Sequence, residues 1–189
     1  MTEEELLALD GFIEVQREQA RLGFENGLTP EQVSFYYKPE FGHRQIEQAR
    51  IAFENGLRQE QISIFYNPGF HYNKMKQSRL GFENGLTPEQ VSFYCKSGFS
   101  SSQAEQARLG FESGLTEEQV SFYYSPEIDA VQMQEMRERL EKAVEEQASL
   151  YYKPEFKYEW MAEMREQLEK DMDESKPDIK KNILNALDI

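Results

Sequence analysis

The sequence predicts an all-α, right-handed solenoid of about five 29-residue two-helix repeats, with degenerate capping helices at both ends. Three observations predict it. One segment recurs letter for letter, a glycine stands at the same place in successive copies, and the intervening residues are apolar at helical spacing. Arg21–Tyr36 reads RLGFENGLTPEQVSFY, and Arg79–Tyr94 repeats it unchanged. Arg50–Phe65 (RIAFENGLRQEQISIF) and Arg108–Tyr123 (RLGFESGLTEEQVSFY) are looser copies, and Gly27, Gly56, Gly85 and Gly114 mark the period.

Each repeat reads as two helices. The longer, helix A, covers about His43 to Asn55 in the second copy, where Ile46, Ala49 and Phe53 form one apolar stripe. The Asn-Gly-Leu that follows is a helix stop. Glycine takes the left-handed conformation there, and the leucine folds back as the accompanying apolar contact. Thr29-Pro30-Glu31-Gln32 then suits a helix start: Thr29 caps, Pro30 sits at the first helical position, and Gln32 completes a capping box. Helix B runs from Pro30 to Tyr37 and ends before Pro39. Its Val33, Phe35, Tyr36 and Tyr37 point in nearly every direction, which places helix B in the interior and helix A on a surface. The linker that returns the chain is anchored by Phe41, Phe70, Phe99, Ile128 and Phe156.

A fifth copy, Arg137–Tyr151, lacks one residue at the glycine turn, so Ala130 to Tyr152 is expected to run as one long helix. The ends are partial copies. Glu4–Phe12 aligns with Val33–Phe41, and Trp160–Glu169 matches the first half of a repeat. Pro177–Leu187 carries a further amphipathic stripe, which predicts a C-terminal lid. The expected organisation is a single solenoid over 1–189: residues 1–12 an N-terminal half-repeat cap, 13–156 the tandem repeats, and 157–189 a C-terminal half-repeat and capping helix. Terminal units of solenoids are atypical because their outer faces meet water.

The recurring pattern is Gln-x-x-x-x-Arg-x-Gly-Phe-Glu-x-Gly-Leu-x-x-Glu-Gln-Val-x-x-Tyr-x-x-Pro-x-Phe. It resembles a short repeat of uncharacterised proteins from clostridial gut bacteria and their mobile elements, over roughly Phe12 to Leu168. There the form is Gln-Met-x-x-Ile-Arg-x-Gly-Leu-Glu-x-Gly-Leu, followed by Tyr-Ala-x-Pro-x-Phe. Here Phe24, Phe53, Phe82 and Phe111 stand in place of its leucine, Leu140 and Leu168 keep it, and Tyr37 stands in place of its alanine. The resemblance implies a fold and a bacterial setting, and supplies no catalytic residue.

Composition narrows the function classes. Aromatic residues make up 13% of the chain, enough to order a protein of this length. There are 21 Lys and Arg against 35 Asp and Glu, a net charge of −14. Such a balance argues against direct binding of nucleic acid or anionic lipid, because each phosphate contact needs a cation on the protein, and it permits a basic protein partner or simple solubility. One cysteine, Cys95, rules out an internal disulfide framework and fits a reducing compartment. The acidic N-terminus lacks the basic flank and apolar core of a signal peptide, and no stretch is apolar for long enough to cross a membrane. A cytoplasmic protein is expected.

The sharpest polar feature is an arginine in each helix A followed four residues later by a glutamate. The arginines are Arg21, Arg50, Arg79, Arg108, Arg137 and Arg165; the glutamates are Glu25, Glu54, Glu83, Glu112, Glu141 and Glu169. The spacing sets the two side chains beside each other. Two roles fit: a ladder of ion pairs holding neighbouring repeats in register, or a row of guanidinium groups gripping the oxyanions of an extended ligand.

The aromatic runs, such as Phe35-Tyr36-Tyr37 and Phe122-Tyr123-Tyr124, read as core. Stacking on bases would need a basic groove as well. The Glu-Gln pair that opens each helix B favours the helix dipole. A paired-carboxylate enzyme needs two acids in different environments, and a repeated acid shows no such asymmetry. His43 and His71 lie in different repeats without metal-ligand spacing. Neither a cofactor, a metal nor a catalytic residue is therefore expected. The leading functional expectation is a non-enzymatic protein–protein interaction scaffold with a protein or peptide partner, basic in character. The alternative is an acidic inhibitor from a mobile element that mimics nucleic acid. The residues that vary most between copies, Arg44–Gln48, Asn73–Gln77 and Ser101–Gln106, are expected to line one exposed wall.

Overall fold

In the computed structural model, residues 2–149 are described, and all of their regular structure is α-helical. The chain divides into two compact units, Met1–Glu112 and a second that begins at Ser113. The sequence expectations for Phe156, Trp160–Glu169 and Pro177–Leu187 fall outside the described residues.

The first unit holds α1 (Glu3–Leu7), α2 (Glu14–Glu25), α3 (Pro30–Tyr36), α4 (His43–Glu54), α5 (Gln59–Phe65), α6 (Tyr72–Glu83), α7 (Pro88–Tyr94) and α8 (Ser101–Glu112). The even-numbered helices from α2 to α8 are helices A, 12 residues each; α3, α5 and α7 are helices B, 7 residues each. Helix A packs on helix A, α2 on α4, α4 on α6 and α6 on α8. Each helix B lies against the helix A before it and the one after it. The second unit holds α9 (Glu117–Tyr123), a helix B, and α10 (Ala130–Ser149), which runs unbroken for 20 residues and packs on α9. The glycine stop is the feature α10 lacks.

That stop has the geometry its sequence demands. Gly27 sits at φ +85°, a conformation strained for any residue with a Cβ. The Gly27 N–H donates to Phe24 O and the Leu28 N–H to Gly23 O, both at 2.9 Å, which is the Schellman arrangement. Leu28, Leu57, Leu86 and Leu115 are buried as the apolar half of the motif. Two residues on, Thr29 Oγ1 accepts from the Gln32 N–H at 3.3 Å, and Gln32 Oε1 accepts from the Thr29 N–H at 2.9 Å. Stop and start together leave room for no more than a tight corner.

The core reverses one expectation. Helix A is the more buried helix: Ile46, Gln48, Ala49, Arg50, Ala52 and Phe53 are all buried in α4, whereas α5 buries only Ile62 and Phe65. Counting apolar side chains misjudged this. Helix A is squeezed between two other helices A, and its small residues, such as Ala20, Ala49 and Ala107 (each fully buried), let backbones approach closely. Helix B touches its two flanking helices A and, between α5 and α7, another helix B. The expected wall is corrected in the same way. Arg44 is exposed, but Gln48, Lys74, Met75, Gln77, Gln103 and Gln106 are buried in the contact between helices A.

Behind helix B, the aromatic of the preceding linker stacks on the last aromatic of the helix. Phe12 lies on Tyr37 with ring centres 3.7 Å apart, and Phe41 lies on Tyr66 at 3.9 Å. The alignment of Phe12 with Phe41 is thus a spatial one.

Candidate functional site

The recurring arginine and glutamate meet at each junction between helices A. Arg50 donates through Nη1 to both carboxylate oxygens of Glu54, at 2.6 and 2.7 Å, and its Nε donates to Gln19 Oε1 of the preceding repeat at 3.1 Å. The preceding repeat also supplies Asn26, whose Nδ2 donates to Glu54 Oε1 at 2.8 Å. The next junction has the same four partners one period on: Arg79 with Glu83 at 2.7 Å, Gln48 at 3.2 Å, and Asn55 on Glu83 at 2.7 Å. At the third, Arg108 meets Glu112 at 2.6 Å and Gln77 at 2.8 Å, and Asn84 meets Glu112 at 2.8 Å. In the second unit Arg137 pairs with Glu141 at 2.7 Å, and Ser113 donates to the same carboxylate at 2.6 Å. Arg165 and Glu169 lie outside the described residues.

Local chemistry explains the arrangement. The arginine's fork satisfies two acceptors at once, so one side chain joins an ion pair within its helix to a hydrogen bond across the junction. The asparagine is already fixed as the helix C-cap, and this costs little additional ordering. The guanidinium of Arg50 keeps only 10% of its side chain exposed and that of Arg79 9%, so neither is open to an extended ligand.

The first copy departs from the pattern. Arg21 pairs with Glu14 at 2.6 Å and Glu18 at 3.2 Å, and not with Glu25, which is exposed. No helix A precedes α2, so no glutamine and no asparagine arrive to hold the fork. Arg21 remains 40% exposed and turns toward the nearest carboxylates on its own helix.

A second junction device was not visible in the sequence. Gln16 Oε1 accepts from the Ile13 N–H at 2.9 Å at the start of α2, while its Nε2 donates to Phe41 O at 2.6 Å. Gln45 does the same for Gly42 and Phe70 O, at 2.7 and 2.6 Å. One side chain caps its own helix and ties down the following linker. In α6 the equivalent residue is Lys74, whose Nζ donates to Lys96 O at 2.6 Å from a buried position. Burial pushes its ammonium below the ordinary lysine range.

Within the described aromatic runs the tyrosines are core, whereas Phe35, Phe93 and Phe122 are half-buried. Tyr36, Tyr94 and Tyr123 are fully buried, and burial raises all three hydroxyls well above the ordinary tyrosine value. Tyr36 and Tyr94 donate to the backbone of their own repeat, at Gln19 O and Gln77 O. Cys95 occupies the place of Tyr37 and Tyr66; it is buried, and burial raises its thiol. That is the reverse of what a nucleophile needs. Among the described residues no group of three or more His, Cys, Asp and Glu is placed to hold a metal ion, and no helix is long and apolar enough to cross a membrane.

What remains exposed and periodic lies on helix B. Glu31, Glu60, Glu89 and Glu118 are exposed, one per repeat. Four residues after each comes a half-buried apolar residue, Phe35, Ile64, Phe93 or Phe122, on the same helical face. Lysines already sit over two of these rings: Lys38 Nζ is 5.4 Å from the centre of Phe35, and Lys96 Nζ is 4.5 Å from that of Phe93. The Glu89 carboxyl is held below its usual range by its own backbone N–H and by the Thr87 hydroxyl, so it is ionised at neutral pH. No protein family, curated protein or solved structure matches this chain.

Proposed function

We propose that the protein is a non-enzymatic binding scaffold, a solenoid of about five repeats with capping ends, whose helices B present a basic, peptide-like partner with one carboxylate and one apolar residue per repeat. The periodic Glu31–Phe35, Glu60–Ile64, Glu89–Phe93 and Glu118–Phe122 pairing is the observation that carries this reading. A lysine or arginine of a partner would be met by the carboxylate and by a ring face, and Phe35 and Phe93 already accept an ammonium there. The arginine ladder is engaged at the junctions, which supports assigning it to cohesion between repeats.

Spacing separates this from the nucleic-acid mimic. Packed helices lie about 8–10 Å apart, so a row with one carboxylate per helix B is about two- to threefold sparser than the one phosphate per roughly 3.4 Å of each DNA strand. A bacterial setting, as the sequence resemblance implies, and a cytoplasmic one, in keeping with the single cysteine, are part of the same proposal.

The test is a titration of fluorescent Lys- and Arg-rich peptides against the full chain and against the triple variant Glu31→Gln/Glu60→Gln/Glu89→Gln. The three sites are exposed, so the variant keeps its fold. The expected result is saturable binding to the native chain, at least tenfold weaker in the variant and weakened by salt. Equal binding by both chains would overturn the reading.

A further inference from the structure

A cleft of about 480 Å³ opens between the starts of α4 and α6, lined by His43, Arg44, Phe70, His71 and Tyr72 together with Gln45 and the Pro68–Gly69 turn. It is a shallow groove, largely open to solvent, on which a flat ligand would lie rather than be enclosed. In a chain with 35 acidic residues, not one lines it. Instead it gathers a guanidinium and both of the chain's histidines at the N-terminal ends of two 12-residue helices, where the helix dipoles add positive potential.

The groups are held in place. Arg44 donates through Nη1 to Tyr72 Oη at 2.8 Å, and its guanidinium carbon lies 4.9 Å from the centre of the Tyr72 ring. Among the described residues Arg44 has no carboxylate partner, unlike the ladder arginines. Its remaining N–H groups form the planar fork that recognises an oxyanion. The His71 Nδ1 accepts the Asn73 N–H at 3.3 Å, which leaves Nε2–H as that ring's donor. The His71 and Tyr72 rings lie 4.4 Å apart, and Phe70 is fixed through its carbonyl by Gln45.

The same place elsewhere in the repeat array carries none of this. Where this cleft has His43-Arg44, α2 begins Glu14-Val15, α6 Tyr72-Asn73, α8 Ser101-Ser102 and α10 Ala130-Val131. Among the described helix A starts, only that of α4 carries a histidine and an arginine side by side.

We propose that this cleft binds a small planar anion, a flat ring bearing a carboxylate or a phosphate, with the ring against the Phe70–His71–Tyr72 wall and the oxyanion on Arg44 and the histidine N–H donors. A polyanion is repelled by the net charge of −14, whereas the field of distant carboxylates is screened over about 8 Å at physiological salt and a small anion escapes it. The site is independent of the helix B face and is tested apart from it.

The experiment follows the NMR resonances of Tyr72 and His71 in the full chain during titration with benzoate, adenosine monophosphate, adenosine and inorganic phosphate. Saturable shifts are expected with benzoate or adenosine monophosphate in the millimolar range, about 4 kcal/mol of binding. Adenosine and inorganic phosphate should each bind at least tenfold more weakly, because each lacks half of the chemistry. Saturation by only one of the first two identifies the carboxylate or the phosphate as the source. The variant His43→Ser/Arg44→Ser takes the residues with which α8 already forms the same helix, and Arg44→Asn takes that of α6. Both should lose binding at least tenfold with melting temperature unchanged. Absence of saturation by either ring-bearing anion would overturn the proposal, as would equal binding by the variants or equal binding of phosphate alone.

Discussion

The second and third repeats fill the same space with different atoms. In the third, Gly81 leaves room for the Tyr94 hydroxyl: a Cβ on that glycine would lie 2.1 Å from the oxygen. In the second, the glycine is Ala52 and the tyrosine is Phe65, so a methyl group occupies the place of the hydroxyl. The first repeat, with Gly23 and Tyr36, follows the third. The two positions change together because they share one volume. A second group of differences coincides in the same way. Where the second repeat has Gln45, Ala49 and Tyr66, the third has Lys74, Ser78 and Cys95, all buried. Cys95 is shorter than the tyrosine it replaces, and Lys74 and Ser78 bring polar groups to it. Within this chain, substitutions are tolerated in spatial sets, and the information lies in pairs.

The comparison of buried and terminal arginines should give the largest effect. Arg50→Ala removes the partner of a carboxylate that is mostly buried, and is expected to cost about 3 kcal/mol in urea unfolding. Arg21→Ala, at an exposed pair, should leave the urea midpoint nearly unchanged. An unchanged melting temperature for Arg50→Ala would return the ladder to the ligand-gripping role. Next comes the shared volume. Gly81→Ala should destabilise by about 2 kcal/mol through overpacking against Tyr94. Adding Tyr94→Phe, which recreates the second repeat, should restore most of it. A double variant no better than the single would show that the two sites are independent.

The smallest effect concerns Lys74. Its ammonium is buried, so its folded pKa lies below the unfolded value, and holding the charge opposes folding at neutral pH. Lys74→Gln, the residue of the neighbouring repeats, should stabilise by about 1 kcal/mol. The native chain gains relative stability as the pH rises from the folded pKa toward the unfolded value, where the lysine is neutral in the fold. The advantage of the variant should therefore shrink across that window. A gap that stays constant with pH would mean the charge is not its cause.

Much of this fold is legible in the sequence, and for a definite reason. Asn-Gly-Leu-Thr-Pro-Glu-Gln specifies a stop and a start through backbone conformations that few other residues satisfy, so helix boundaries follow from residue type alone. Glu54 beside Arg50 follows from helical spacing. Gln19 and Asn26 were not legible as partners of that pair, because their meeting depends on how one repeat stacks on the next. The signal was present as a glutamine two residues before the arginine at Gln19, Gln48, Gln77 and Gln106, but nothing local gives it a meaning. Burial of helix A was misjudged for a related reason. Alanine and glycine count as weakly apolar, yet they decide how closely two helices approach. The cleft at Arg44 depends on residues from two repeats and is invisible until those repeats are placed together.

The three junctions at Arg50, Arg79 and Arg108 each draw their glutamine and asparagine from one repeat and their arginine and glutamate from the next, at a constant offset. The identical stretches Arg21–Tyr36 and Arg79–Tyr94 therefore mark two places where the chain is interchangeable with itself. An exchange that joins Ala20 to Arg79 deletes two whole repeats, and Gln19 then stands where Gln77 stood, ready for Arg108. A chain shortened in this way would keep at its new seam the partners that the existing junctions already use.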